Sequence, residues 1–188
     1  MAITHTSRTG RTYYLHTGPK RGGGIQYYCS TQATGALAEH LPEGFEIYES
    51  VNGQVYLRRK PPQLIRNEEI ACVERRLEKR RGNALYKVET RVNAVTIFEN
   101  TSGLSGVSKM LAGFAWPREA DFRERFAHYQ PVMRFVLVDK AERLFAPERY
   151  CFRGSVDDWI SIGPPAPLEK LAAKYLKHLG RESFFELF

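Results

Sequence analysis

Phe45-Glu46-Ile47-Tyr48-Glu49-Ser50-Val51-Asn52-Gly53-Gln54-Val55-Tyr56-Leu57-Arg58-Arg59 is the stretch that decides how this chain begins to fold. Asn52-Gly53 lies between two runs rich in aromatic and β-branched residues. Both residues accept positive φ, so the pair fits a type I′ turn and its flanks read as strands. A two-residue loop pairs Val51 with Gln54, Tyr48 with Leu57 and Glu46 with Arg59. That register puts Tyr48, Val55 and Leu57 on one face, and Phe45, Ile47 and Tyr56 on the other. With apolar residues on both faces, the sheet is expected to be covered on both sides.

Upstream, Arg11-Thr12-Tyr13-Tyr14-Leu15-His16-Thr17 and Ile25-Gln26-Tyr27-Tyr28-Cys29-Ser30 flank a basic, glycine-rich tip, Lys20-Arg21-Gly22-Gly23-Gly24. This reads as a second hairpin. Residues 1–10 are polar and expected to be loose, and 33–41 to form a short turn or helix. The two hairpins predict a four-stranded antiparallel module over 8–60.

Pro61-Pro62 ends the strand. The rest of the chain, 64–188, reads as an α+β region. Asn67 is a good N-cap with Glu68 and Glu69 behind it, and Ile70, Val73 and Leu77 form one apolar stripe before Gly82. Residues 85–99 read as strands that turn at Asn93-Ala94. A helix is expected over 107–114 and another from Pro117, continued by Phe122, Phe126 and Tyr129 at helical spacing. Strands follow over 132–139, 144–153 and 156–162. Gly163-Pro164-Pro165-Ala166-Pro167 reads as a stiff linker, Leu168, Leu171, Tyr175 and Leu179 as a helix. The aromatic tail 183–188 should dock as a short helix. Hairpins with helices between or after them make an α+β class: an antiparallel β-hairpin module packed with a second antiparallel sheet and several helices.

The four runs Leu41–Glu49, Asn52–Arg59, Cys151–Trp159 and His178–Phe184 occur in this order. They resemble those of a group of uncharacterised bacterial proteins of similar length. The resemblance covers most of the chain. It implies a bacterial cytoplasmic setting and brings no activity, ligand or catalytic residue with it.

A chain of 188 residues buries a core without staples. Its three cysteines, Cys29, Cys72 and Cys151, are odd in number and far apart, with no CxxC pair. Buried free thiols and a reducing compartment follow. No apolar run is long enough to span a bilayer and no secretory signal is present, so the localisation expected is cytoplasmic, with no membrane partner.

The net charge of +7 favours an acidic partner. Tyr14 and Tyr27 on strands, with Lys20 and Arg21 at the tip and Arg58 and Arg59 on the second hairpin, form the leading candidate surface. Aromatics stack bases and Lys/Arg hold phosphates in single-strand binders. The plainer reading is that the tyrosines are strand formers in a core. Because adjacent tyrosines point to opposite faces, at most about half can share a surface. The cationic helix end Arg75-Arg76-Lys79-Arg80-Arg81 could meet phosphates, and it also complements the helix dipole. Gly103-Leu104-Ser105-Gly106-Val107-Ser108-Lys109 offers backbone N–H groups to an anion but lacks the P-loop pattern.

The acidic set Asp139, Glu142, Glu148, Asp157 and Asp158 is the basis of a rival reading, a small metal-dependent hydrolase of the phosphodiesterase kind. No nuclease signature, serine elbow or histidine ligand spacing accompanies it. Turn and capping duties are expected for these acids, with no cofactor and no metal. The function expected is therefore non-enzymatic binding, with nucleic acid as the leading partner and another protein as the second.

Overall fold

The computed structural model describes residues 2–80, 82, 85–102, 125–153 and 156–187. The chain divides into two compact units. The first holds residues 1–60 with the described part of 101–128, and the second holds 61–100 and 129–188. The expected helices over 107–114 and from Pro117 lie outside the described residues.

In the first unit, β1 (Thr4–Thr6), β2 (Thr12–Pro19) and β3 (Ile25–Ser30) make an antiparallel sheet in that order. β4 (Phe45–Glu49) and β5 (Val55–Arg59) make a separate two-stranded sheet, so the expected four-stranded module is a three and a two. The N-terminus is not loose. Thr4 to Thr6 pair with Tyr14 to Thr12, and Glu49 accepts hydrogen bonds from His5 Nε2 at 2.8 Å and from the Arg8 backbone N–H at 2.7 Å. Residues 33–41 form no helix. Thr17 N–H donates to Ala36 O and Ala38 N–H to Leu15 O, so the segment runs along β2 as an irregular strand.

The β4–β5 register differs from expectation by one residue. Phe45 pairs with Arg59, Glu46 with Arg58, Ile47 with Leu57 and Tyr48 with Tyr56. Ser50 N–H donates to Gln54 O and Gly53 N–H to Ser50 O, leaving a three-residue loop. Gly53 alone takes positive φ, +74°, while Asn52 does not. That is a type I turn closed by a left-handed glycine, not a type I′ turn. Because strand side chains alternate, the shift regroups every residue. Glu46, Tyr48, Tyr56 and Arg58 now share one face.

In the second unit a six-stranded antiparallel sheet has the order β10-β9-β8-β7-β6. These strands are β6 (Tyr86–Arg91), β7 (Ala94–Asn100), β8 (Tyr129–Asp139), β9 (Leu144–Arg153) and β10 (Val156–Ser161). β11 (Ala166–Pro167) pairs with the start of β9, so the expected linker supplies a sixth, short strand. Tyr129 starts β8; its helical spacing from Phe126 is incidental.

Helix α1 (Asn67–Glu78) starts one residue earlier than expected, with Arg66 in place of Asn67 as N-cap. Glu69 reaches back 2.8 Å to the Arg66 N–H, and Arg143 holds Glu69 at 2.5 and 2.9 Å. Helix α2 (Leu168–Tyr175) runs into a 3-10 turn, Leu176–His178. Val73 and Leu77 of α1 and Leu168, Leu171 and Tyr175 of α2 bury against Val95, Ile97, Met133, Phe135, Leu137 and Phe145 of the sheet. The tail docks through a second 3-10 turn, Glu182–Phe184, with Phe184 buried. The described residues are mostly strand with few helices. Among them no helix is long and apolar enough to cross a membrane.

Candidate nucleic-acid interface

The hairpin tip between β2 and β3 is held by Lys20 N–H donating to Gly24 O and Gly23 N–H to Lys20 O. Gly22, Gly23 and Gly24 take φ of +99°, +95° and +90° with open space where a side chain would be. Only glycine adopts such a run at little cost, so the backbone can expose both flanking cations. Lys20 and Arg21 are exposed and make no ion pair among the described residues.

Pairing across β2–β3 sorts the tyrosines. Tyr14 pairs with Ser30, His16 with Tyr28, and Thr17 with Tyr27. Tyr14, His16, Gln26 and Tyr28 therefore share one face, and Tyr27 lies on the other with Leu15, which is fully buried. Tyr14 and Tyr27 do not share a surface, and both are half-buried.

The aromatic that presents itself is Tyr28, 45% exposed. Its ring stacks on His16 with centroids 5.3 Å apart and planes 17° apart. His16 is itself buried, and its Nε2–H donates to Gln32 O at 2.9 Å. A Cβ at Gly18 would sit 3.4 Å from the Tyr28 ring, so the missing side chain leaves room for the ring to lie flat. Tyr28 is thus positioned from below and open above.

The second hairpin is arranged differently. Arg58 Nε donates to Glu46 at 2.8 Å, and its guanidinium lies 3.4 Å from the Tyr48 ring centroid. An arginine so engaged offers less to a phosphate. Arg59 is exposed, with its guanidinium 5.7 Å from the Phe45 ring centroid. Of the six residues singled out by sequence, Lys20 and Arg21 sit together on the tip. Arg58 and Arg59 point to opposite faces of another sheet. Alternation separates Tyr28 from its neighbour Tyr27 but cannot say which face is covered.

The acidic set disperses. Asp139 accepts the Ala141 and Glu142 N–H groups, Glu148 takes Arg134 at 2.6 Å, and Asp158 accepts the Trp159 N–H. Among the described residues no three metal-ligating side chains gather as a site. The Gly103–Lys109 loop and Arg81 lie outside the described residues. No family model matches the chain, and neither a curated protein nor a solved structure matches it.

Proposed function

We propose that this chain is a non-enzymatic binding protein for single-stranded nucleic acid. The strand's backbone crosses Lys20 and Arg21, and a base stacks on Tyr28. One observation carries the reading. Tyr28 is held flat on buried His16, half open to solvent, on the strand that leaves a cationic tip whose two heads make no ion pair among the described residues. Tyr28 lies four residues of strand rise, about 13 Å, from the tip, within reach of one short strand. Stacking tolerates any base and the tip reads only charge, so binding is largely independent of sequence. The overall charge of +7 supports the same partner class.

Fluorescence anisotropy with labelled DNA and RNA oligonucleotides bearing 5′-hydroxyl ends tests it. Single strands should bind at low salt and be released as salt rises. No binding to single- or double-stranded DNA or RNA at tens of micromolar protein would end the nucleic-acid reading and leave a protein partner.

A further inference from the structure

The second unit contains a cleft of about 670 Å³. Its walls come from four places in the chain. Lys79 and Arg80 close helix α1, Lys177 to Arg181 follow helix α2, Leu85 and Tyr86 open β6, and Glu99 lies near the end of β7. The volume falls in the range of small-ligand sites. Four cationic side chains line it against one carboxylate.

The wall is built to stay in place. Arg80 donates from its guanidinium to Leu176 O and, at 2.6 Å, to Leu179 O, while its buried Nε has no hydrogen-bond partner among the described residues. The Tyr86 hydroxyl donates to Glu99 at 2.8 Å, which occupies one oxygen of that carboxylate. Burial, then the Glu99 hydrogen bond, push the Tyr86 phenol well above its ordinary range, so it remains a donor. Helix-dipole complementarity accounts for Arg80, which caps carbonyls at the end of α2. Lys79 and Lys177 also sit at helix ends, but the dipole does not account for their gathering with Arg181 around one concavity. Those three are exposed and make no ion pair among the described residues. Like charges gathered around one concavity raise its potential and draw in a counter-anion.

We propose that this cleft binds a small ligand carrying a diphosphate group. Lys79, Lys177 and Arg181 contact the phosphoryl oxygens, fixed Arg80 supplies standing positive charge, and Leu85 with the Tyr86 ring offers an apolar surface to whatever the phosphates are attached to. Several mobile ammonium and guanidinium heads around one fixed guanidinium suit a multiply charged group better than a single carboxylate. The site is distinct from the Lys20–Arg21 tip, and the first of its two probes, pyrophosphate, carries no base.

Calorimetric titration at low ionic strength with inorganic pyrophosphate, and separately with ADP, tests it, and thermal melts follow each. Both ligands should bind and raise the melting temperature. The double variant Lys177→Ala, Arg181→Ala removes two exposed, unpaired heads and should keep the fold, yet weaken pyrophosphate at least about tenfold. Lys79→Glu should weaken it further. Lys20→Ala with Arg21→Ala should leave it unchanged, which separates this site from strand binding. Displacement of pyrophosphate by ADP and not by a 5′-phosphorylated oligonucleotide is expected; displacement by the oligonucleotide as effective as by ADP would overturn the small-ligand assignment in favour of a strand end. No heat and no melting shift with either probe at millimolar concentration would overturn the proposal. So would pyrophosphate binding that the double variant and Lys79→Glu leave intact.

Discussion

Tyr48 and Tyr56 face each other across the β4–β5 hairpin with ring centroids 5.1 Å apart and planes at 61°. This edge-on contact exists only because the loop holds three residues. A two-residue loop would send the two rings to opposite faces. Gly53 sets the loop length, since it alone takes left-handed φ there.

The first prediction concerns that residue. Gly53→Val forces a β-branched residue to φ of +74° and brings its Cβ to 3.0 Å from Thr9 Cγ2. The variant should lose on the order of 1–3 kcal/mol of stability. A urea melt monitored by circular dichroism measures it. An unchanged midpoint would mean that the glycine conformation is not what holds the register.

The second lies in the other unit. The Tyr175 hydroxyl donates to Ile162 O at 2.9 Å in a fully buried position, and a Cβ at Gly163 would overlap that hydroxyl. Gly163→Ala should therefore cost about 1–3 kcal/mol through overpacking. Tyr175→Phe removes the bond and should cost about 1–2 kcal/mol. In the double variant the clash is relieved, so the two costs should not add. Additive losses would show that Gly163 does not make room for Tyr175.

The strands were readable from sequence because their aromatic and β-branched residues alternate. The register was not, because Asn52-Gly53 serves equally in a two-residue loop and in a three-residue loop that ends on glycine. Tyr129 follows Phe126 at helical spacing, yet three residues of coincidence cannot outweigh an eleven-residue strand that begins there. Tyr28 and Tyr27 are indistinguishable by type. Only the burial of Leu15 on one face, and the stacking of Tyr28 on His16 on the other, decide which ring is open. The cleft cations come from helix ends about 100 residues apart, and each alone reads as a helix-end charge.

Arg149 is the third test. It is 6% exposed, and its Nε and Nη2 donate to Leu187 O and Phe185 O at 3.0 and 3.4 Å. Those bonds tie down the aromatic tail. Arg149→Ala should release the tail and cost about 2–4 kcal/mol, since two carbonyls lose charged donors and the packing of a buried side chain is lost. Limited proteolysis should then clip the C-terminus. A tail as protected as in the parent would show that Phe184 packing alone holds it.

The fourth concerns the thiols. Cys29, Cys72 and Cys151 are all free, with Cys151 buried and the others half-buried. Thiol titration after unfolding without reductant should find all three reduced. Burial raises the Cys29 thiol above the ordinary thiol value. Native Cys29 should therefore alkylate more slowly at pH 8 than in the unfolded chain. The sign of the linkage follows. A raised folded pKa favours the fold below the ordinary value, and that contribution fades as pH climbs through the raised one, so stability should fall above about pH 9. Equal alkylation rates in the folded and unfolded states would contradict the burial of this thiol.

The last prediction is that of strand binding itself. Phosphate contacts release counterions, so log affinity should fall linearly with log salt, with a slope of roughly −0.7 per phosphate neutralised on a single strand. Lys20→Ala with Arg21→Ala removes two phosphate contacts at an exposed tip and should flatten that slope by about one to two units. The fold should be untouched, because both heads are exposed and neither makes an ion pair among the described residues. Tyr28→Ala acts differently. It removes a stacking surface, should cost about 1–3 kcal/mol of binding, and should leave the salt slope where it was. Tyr27→Ala points into the Leu15 face, so it should cost stability rather than affinity. Circular dichroism melts on all three variants separate those effects. If Tyr27→Ala weakened binding with an unchanged melt while Tyr28→Ala did nothing, the stacking face would be the opposite one.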